Sequence, residues 1–241
     1  MMIWPIVGGS ASRQDPNQEK DFQEAVVALK SGYANMAYSL FLHIAEKDDP
    51  RAQFLVGRML EEGQGVVRDP LKAAQWYRRA AQQGHAESQA RLGFLYLGGT
   101  DVPQDNNEAL KWFQTAAQEN QHPIAQAYLC SIYAEGTIVP ADQKLSLEWC
   151  RKAAERGVPA AQTMMGFHHA LGKALPMDRA VARQWFELAA KQGYAGAIKA
   201  LAEMDQGKTP NPEAGLPPAF FLWQATAATE KLPDTTPKKW E

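Results

Sequence analysis

The five histidines are the side chains of this sequence best suited to acid–base chemistry or metal binding near neutral pH. Two of them, His168 and His169, are adjacent. Neighbouring residues on a helix point about 100° apart, so this pair cannot face one metal ion as residues at i and i+4 can. Catalysis needs a nucleophile with a base, a carboxylate pair or a metal-ligand set, and the sequence shows none of these patterns. It therefore predicts no catalytic residue, no metal and no cofactor.

Two glycine-rich segments could be mistaken for loops that bind phosphate. They are Gly63-Gln64-Gly65 and Gly98-Gly99. Neither follows a predicted strand, and the full spacing of a P-loop or a dinucleotide-binding motif is absent. We therefore predict that these glycines form turns between helices.

A recurring aromatic pair shows how the chain around these segments is built. Its copies are Trp76-Tyr77, Trp112-Phe113, Trp149-Cys150 and Trp185-Phe186, separated by 36, 37 and 36 residues. A near-constant period with an aromatic residue at one phase indicates stacked structural repeats. Exposed tryptophans can stack on a carbohydrate. Tryptophans that recur at one helical phase among alanines are instead predicted to lie buried between helices.

Each repeat contains two short helices joined by turns. A glycine or a polar residue follows each aromatic pair at a similar distance, at Gly84, Asn120 or Gln121, Gly157 and Gly193. A second landmark lies on the next helix, at Val56-Gly57, Leu92-Gly93, Leu129-Cys130 and Met165-Gly166. Helices of about three turns are marginal in isolation, so stacking must bury the apolar stripe that each repeat leaves open.

These landmarks give the chain a resemblance to a known family. The strings AQFLVGRMLEEGQGVVRDPLKAAQWYRRAAQQGHAESQARLGFLY and ALKWFQTAAQ resemble Sel-one-like repeats, which are relatives of the tetratricopeptide repeat. The resemblance covers about residues 22–207. It implies an all-α fold, a right-handed α/α superhelical solenoid of about five stacked helix-turn-helix repeats. A closing helix and a proline-rich C-terminal tail follow the repeats.

The expected organisation has three parts. Residues 1–17 are predicted to be irregular because prolines and glycines interrupt any helix there. Residues 18–207 form the solenoid, with repeats at 18–49, 51–84, 86–121, 123–157 and 159–193 and a closing helix at 195–206. Residues 208–241 form the tail, in which the apolar segment 216–229 is predicted to cap the last repeat, since terminal repeats need a cover. The alternative is that this segment lies in a groove of the same or another molecule.

The two cysteines fall on repeat landmarks. Cys130 stands where other repeats have a glycine, and Cys150 stands where they have the second aromatic residue. Both are therefore predicted to be buried. A disulfide between them is a second possibility, because the two positions lie on facing helices. Two cysteines in 241 residues are too few for a disulfide-dense secreted scaffold.

Composition narrows the class of partner. A formal net charge of −2 provides no concentrated basic stripe for nucleic acid. No apolar run reaches 18 residues, so no membrane span is predicted. Residues 1–12 resemble the end of a secretory signal but lack its basic N-terminal region, which leaves the cytoplasm and the periplasm both open. We expect a monomer.

The first helices of stacked pairs line the concave face of a superhelix, and such faces bind partners. By analogy with tetratricopeptide repeats, the resemblance implies a partner-binding groove. Its predicted residues are Arg51, Phe54, Arg58, Glu61, Glu62, Glu87, Phe94, Leu97, Ile124, Ser131, Glu135, Thr163, Phe167, Leu171, Lys199 and Glu203. The expected apolar floor consists of Phe94, Leu97, Phe167 and Leu171. Any of these residues could instead pack against a neighbouring helix.

The resemblance implies a bacterial protein–protein interaction module without catalytic activity, which holds a protein or peptide partner in the groove. Such proteins serve as adaptors in signalling, envelope assembly or host contact. A second hypothesis is an immunity protein that neutralises a secreted antibacterial effector, because a small repeat protein with no other domain suits a dedicated binder. A hydrolase that works through His168, Glu135 or Asp178 is a remote third.

Overall fold

A computed structural model describes residues 16–99, 102–172 and 174–212 of the chain. Within these ranges the fold contains eleven α-helices and no β-strand. The helices are α1 (Pro16–Lys30), α2 (Ala34–Glu46), α3 (Pro50–Glu62), α4 (Pro70–Gln82), α5 (Ala86–Gly98), α6 (Asn106–Gln118), α7 (Pro123–Glu135), α8 (Gln143–Glu155), α9 (Pro159–Leu171), α10 (Arg179–Ala190) and α11 (Ala195–Asp205). Each helix packs against the next one in the series. The all-α solenoid predicted from the repeat period is therefore confirmed.

The described part of the solenoid begins with helix α1 and ends shortly after helix α11. Helix α1 begins at Pro16, inside the segment 1–17 that was predicted to be irregular, and proline is favoured in the first turn of a helix. At the other end, α11 packs on α9 and α10 and leaves Ile198 half exposed. Residues 1–15 and the predicted capping segment 216–229 lie outside the described residues.

The same two signals begin and end helices in successive repeats. The first helices α3, α5, α7 and α9 end at a glycine with φ between 62° and 70°, at Gly63, Gly99, Gly136 and Gly172. Glycine adopts this left-handed conformation without steric cost. The second helices α4, α6, α8 and α10 begin after an aspartate whose carboxylate accepts backbone N–H groups, at Asp69, Asp105, Asp142 and Asp178. Together these signals fix each turn from first to second helix.

A contact between a glycine and an aromatic ring closes three of the helix pairs. The contacts join Gly57 to Tyr77, Gly93 to Phe113 and Gly166 to Phe186. A Cβ atom on these glycines would come within 2.6, 2.8 and 2.5 Å of the ring, respectively. Only glycine therefore lets the two helices approach this closely. The three aromatic side chains are fully buried.

The fourth repeat replaces this contact with a covalent bond. Cys130 on α7 and Cys150 on α8 occupy the two positions and form a disulfide, with 4.9 Å between their Cα atoms. That separation lies in the usual range for disulfides. Both cysteines are buried, as predicted. Of the two states left open by the sequence, the structure contains the disulfide.

The prediction that all four tryptophans lie buried between helices is wrong for three of them. Trp149 is buried at 8% exposure, whereas Trp76, Trp112 and Trp185 are partly exposed. The residue after each tryptophan is rotated about 100° further around the helix. It is this residue that meets the facing helix, at a glycine in three repeats and at Cys130 in the fourth. The tryptophans lie beside that contact. A cation lies over three of their rings, with Arg79 4.7 Å from the centroid of Trp76, Lys111 5.8 Å from that of Trp112 and Lys152 4.2 Å from that of Trp149.

A buried glutamine ties each repeat to the one before it. Its Nε2 donates to a backbone carbonyl oxygen near the end of the preceding second helix. The bonds run from Gln53 to Ala45, from Gln89 to Ala81, from Gln126 to Ala117 and from Gln162 to Ala154, over 3.2, 3.0, 3.3 and 3.2 Å. The carbonyl oxygens of Ala45, Ala81 and Ala154 also accept a backbone N–H from the turn that follows. The glutamine adds a second donor there and fixes adjacent repeats together.

Candidate functional site

Every predicted groove residue lies on the first helix of a pair or on the closing helix α11. The helices α3, α5, α7, α9 and α11 carry all of them. Helix α9 also contacts both α7 and α11 directly. The structure therefore gathers the predicted residues on one set of helices, and the second helices contribute none of them.

The predicted residues differ in how far solvent reaches them. Those that are exposed are Glu62, Glu135 and Lys199. Those that are partly buried are Arg51, Phe54, Arg58, Glu61, Glu87, Phe94, Leu97, Ile124, Leu171 and Glu203. These two groups together are called the first-helix face below. The remaining three, Ser131, Thr163 and Phe167, are buried.

The buried residues take part in packing within the chain. Thr163 donates its hydroxyl to the carbonyl oxygen of Pro159 over 2.8 Å. Phe167 is 4% exposed and meets Phe186 edge-on, with 5.1 Å between ring centroids. Of the predicted apolar floor, Phe94 and Leu97 pack in one core cluster, and Phe167 packs with Leu171 in another. Phe94, Leu97 and Leu171 are partly accessible to solvent in this conformation, whereas Phe167 is not.

At the N-terminal end of the first-helix face, charges are paired within the chain. Arg51 donates through Nη2 to Glu19 on α1 and to Asp49, both over 2.9 Å. Its guanidinium also lies 4.3 Å from the centroid of the Phe22 ring. Arg51 thus joins α1 to α3, and a partner would meet it as part of an ion pair.

A chain of polar contacts crosses from α3 to α7. Tyr77 donates its hydroxyl to Glu61 over 2.6 Å. Arg91 lies 3.7 Å from Glu61 and 4.0 Å from Glu87. Glu87 in turn is 2.7 Å from Nε2 of His122. These contacts link three successive repeats through α3, α4, α5 and the N-cap of α7.

The position of His122 defines which of its ring nitrogens donates. His122 is the N-cap of α7, and its Nδ1 accepts the backbone N–H of Ala125 over 3.3 Å. Because Nδ1 is the acceptor, Nε2 carries the proton and donates to Glu87. One imidazole therefore caps a helix and binds a carboxylate of the preceding repeat.

The surroundings shift the pKa values of several groups in and beside this chain of contacts. Burial raises the pKa of Glu87, but the hydrogen bond from His122 and the neighbouring positive charges outweigh it, so the pKa lies below its usual value. Burial, reinforced by Glu61, raises the pKa of Tyr77 well above its usual value. Burial lowers the pKa of His85, the N-cap of α5. Near neutral pH, residue 87 is thus a carboxylate, and residues 77 and 85 are neutral.

Sequence reasoning missed Arg91 and His122. In the repeat frame, Arg91 falls where the other repeats have Leu55, Tyr128 and Met164. A cation at an otherwise apolar phase was the signal that could have identified it. His122 falls at the helix N-cap, where the second repeat has Asp49, and comparison of cap residues would have identified it in the same way.

The described part of the chain offers little for the hydrolase hypothesis. Asp178, one of its three residues, is the N-cap of α10 and accepts the backbone N–H groups of Ala180 and Val181 over 2.9 and 3.0 Å. That role is structural. Among the described residues, no three His, Cys, Asp or Glu side chains are grouped to hold a metal ion. None of the described helices combines the length and apolar character needed to cross a bilayer.

Comparison with known proteins identifies the type of repeat. The profile of the Sel1 repeat family matches residues 50–85, 86–121, 123–158 and 159–194. The fold is similar to that of a Sel1 repeat protein from Oxalobacter formigenes, with a TM-score of 0.73, 26% identity and coverage of 90% of this chain and 91% of that one. It is also similar to an immunity protein from Pseudomonas aeruginosa, with a TM-score of 0.53, 18% identity and coverage of 88% and 77%.

Curated relatives share part of the repeat region. Among them is the ERAD-associated E3 ubiquitin-protein ligase component HRD3B of Arabidopsis thaliana, which is 30% identical over 84 residues. The match covers 35% of this chain and 14% of the relative. The chain therefore corresponds to a small part of that longer protein.

Proposed function

The chain belongs to the Sel1 repeat family, and from that membership we propose that it is a non-catalytic bacterial protein–protein interaction module. It holds a protein or peptide partner on the first-helix face. Sel1 repeat proteins generally mediate interactions between proteins. The Arabidopsis relative, for example, is by name a component of a ubiquitin-protein ligase.

The composition of the first-helix face is the observation that carries this proposal. Phe54, Phe94 and Leu97 are apolar residues that the chain covers only in part. The same set of helices exposes charged residues, among them Glu62 and Glu135. Partly covered aromatic residues with charged neighbours are typical of protein interfaces. The polar contacts from Tyr77 to His122 hold three repeats in fixed positions, which lowers the ordering cost of binding.

The immunity hypothesis remains a prediction. At 18% identity, the likeness to the Pseudomonas immunity protein supports a shared fold and says nothing about a shared partner. A toxin gene directly upstream of the gene for this chain would favour immunity. An operon that encodes a kinase or a secretion system would favour an adaptor.

The disulfide bears on the compartment in which the module acts. Disulfides persist in the periplasm and are rare in a reducing cytoplasm. The bond between Cys130 and Cys150 therefore favours the periplasm over the cytoplasm, the two compartments that the sequence leaves open. Alkylation of thiols in intact cells tests this. A periplasmic chain should resist modification until a reductant is added, whereas immediate modification would place it in a reducing compartment.

Two matched charge-reversal variants test the binding face. The first combines Glu62→Lys, Glu135→Lys and Lys199→Glu on the first-helix face. The control combines Glu46→Lys, Glu187→Lys and Lys144→Glu on the second helices and has the same net charge. All six residues are exposed, so both variants should melt like the parent, within about 0.5 kcal/mol per substitution.

Quantitative affinity capture from the native cell then compares these two proteins with the parent. We expect the affinity of the first-helix variant for the partner to fall on the order of ten-fold or more, which corresponds to about 1.4 kcal/mol of binding free energy. The control should retain the partner. Equal capture by both variants would refute binding on the first-helix face.

A further inference from the structure

The buried glutamines that tie the repeats together need a partner for their oxygen as well as their nitrogen. A carboxamide near the end of the second helix supplies it in three repeats. Gln83 donates to Oε1 of Gln53 over 2.9 Å, Asn120 to Oε1 of Gln89 over 2.8 Å, and Gln192 to Oε1 of Gln162 over 2.9 Å. Both ends of each buried amide are thereby satisfied, as burial requires.

Gln126 in the fourth repeat lacks such a donor. The residue is 2% exposed, and its Oε1 is buried without a hydrogen-bond partner. Arg156 stands in this repeat where Gln83 stands in the second, at the C-cap of the second helix. It donates to Gln121 instead. A buried acceptor without a donor is costly, and such groups are rare in folded proteins.

An open pocket with a volume of about 450 Å³ lies beside this glutamine. Gln121, Gln126, Trp149, Lys152 and Arg156 are among the residues that line it. Lys152 lies over the Trp149 ring, and both Lys152 and Arg156 are exposed. Long exposed side chains change rotamer readily, so a ligand can displace them and reach Gln126 and the face of the indole. The volume is more than sufficient for one amino-acid side chain.

We propose that this pocket binds an asparagine or glutamine side chain of a protein partner. The carboxamide N–H of the partner donates to Oε1 of Gln126, as Gln83, Asn120 and Gln192 do within the chain. The carboxamide oxygen accepts from Lys152 or Arg156, and the methylene group of the partner lies against Trp149. The partner thereby supplies to Gln126 the donor that Gln53, Gln89 and Gln162 receive from within the chain.

Other side chains match these groups less well. A carboxylate has no hydrogen to donate, so its oxygen would be repelled by Oε1 of Gln126. A lysine or arginine has hydrogens to donate, but its positive charge would lie next to two cations, Lys152 and Arg156, against the single carboxylate of Glu155. A carboxamide is neutral and provides both a donor and an acceptor.

The pocket is separate from the first-helix face. It is formed by the end of α6, the start of α7 and the C-terminal half of α8, and α6 and α8 are second helices. The inference therefore goes beyond the proposed function and does not depend on it. Failure at the pocket and failure at the first-helix face can be observed separately.

A pair of tripeptides probes the pocket directly. N-acetyl-Gly-Asn-Gly-amide carries the proposed side chain, and N-acetyl-Gly-Asp-Gly-amide is its closest charged analogue. Each is titrated into the full-length, isotope-labelled protein, and the side-chain amide of Gln126 and the indole N–H of Trp149 are followed by NMR. We expect the asparagine peptide to shift both signals and to bind on the order of ten-fold more tightly than the aspartate peptide, the effect of one matched hydrogen bond.

The substitution Arg156→Gln provides the matched variant. It places a carboxamide where Gln83 stands in the second repeat, so it should donate to Gln126 from within the chain. We expect it to raise the melting temperature by about 2–4 °C and to abolish the shifts caused by the asparagine peptide. The control Arg156→Ala removes the same guanidinium without supplying a donor, and should keep the response of Gln126 to the peptide.

Four outcomes would overturn the proposal. They are the absence of any shift at Gln126, binding of the aspartate peptide as tight as that of the asparagine peptide, undiminished binding by the Arg156→Gln variant, and an unchanged melting temperature in that variant. The last outcome would mean that a water molecule already satisfies Oε1 of Gln126.

Discussion

The contact between Gly93 and Phe113 provides a quantitative test of how the helix pairs are held together. A Cβ atom on Gly93 would lie 2.8 Å from the ring of Phe113, and that ring is 1% exposed. In a helix interior, alanine is favoured over glycine by about 1 kcal/mol. Overpacking a tight core site costs about 1–3 kcal/mol. The clash therefore exceeds the gain, and Gly93→Ala should lower the free energy of unfolding of the parent by up to about 2 kcal/mol.

The sign of this effect should reverse when the ring is removed. Phe113→Ala alone should cost about 3–5 kcal/mol, the usual loss for a fully buried phenylalanine. In that background Gly93→Ala meets no ring, so it should stabilise the chain by about 1 kcal/mol. The double-mutant cycle should therefore give a coupling free energy of about 1–3 kcal/mol between the two residues.

Urea denaturation followed by far-ultraviolet circular dichroism measures all four proteins of this cycle. Trp112→Ala serves as the control, because Trp112 is adjacent to Phe113 but only partly buried. It should cost less than Phe113→Ala although it removes a larger side chain. An effect of Gly93→Ala that is the same in both backgrounds would refute the packing argument, as would a larger loss from Trp112→Ala.

Three further predictions concern the disulfide, the pH dependence and the tail. Cys130 and Cys150 are 20 residues apart, and reduction of their disulfide should lower the free energy of unfolding by about 3 kcal/mol. A Cys130→Gly, Cys150→Phe variant should melt at the same temperature with and without reductant. Burial lowers the pKa of His85 in the folded chain. The stability that neutral His85 contributes should therefore be complete above its unfolded pKa of about 6.5 and be lost as the pH falls further. The variant His85→Asn, which can still cap α5, should show a smaller loss of melting temperature between pH 7.5 and 5. If residues 216–229 cap the solenoid, removal of residues 213–241 should lower the melting temperature and promote aggregation. The reason is that Ile198 and Leu188, which are exposed among the described residues, would lose their cover. Unchanged melting and solubility would contradict the cap.

The repeat period predicted the helix pairs because the recurring residues begin and end helices through local interactions. Asp69, Asp105, Asp142 and Asp178 begin helices through their own carboxylates, and Gly63 and Gly99 end them through a left-handed backbone. These signals act over a few residues, so a single sequence displays them. The same period could not tell which member of each aromatic pair is buried, since both recur with one spacing. That choice depends on which residue faces the glycine of the neighbouring helix.

The rest of the site depended on contacts between repeats. Arg91 was identified as a site residue by its contacts with Glu61 on α3 and Glu87 on its own helix. The missing hydrogen bond at Oε1 of Gln126 was identified by comparison with the satisfied amides of Gln53 and Gln162. Neither the ion pairs of Arg91 nor the missing donor at Gln126 has a local sequence signal. An in-phase comparison of the repeats would have singled out Arg91 as a cation at an apolar position. It could not have shown which carboxylates that cation reaches.

Site-specific photocross-linking in the native cell tests the central claim most directly, because it records which surface touches the partner. A benzophenone amino acid replaces Glu62 or Glu135 on the first-helix face, and Glu46 or Glu187 on the second helices serves as the control; all four residues are exposed. The proposed function predicts light-dependent adducts with one and the same protein from positions 62 and 135, and none from positions 46 and 187. Adducts that form only from positions 46 and 187 would show that the partner binds the second helices, and would contradict the assignment of the first-helix face.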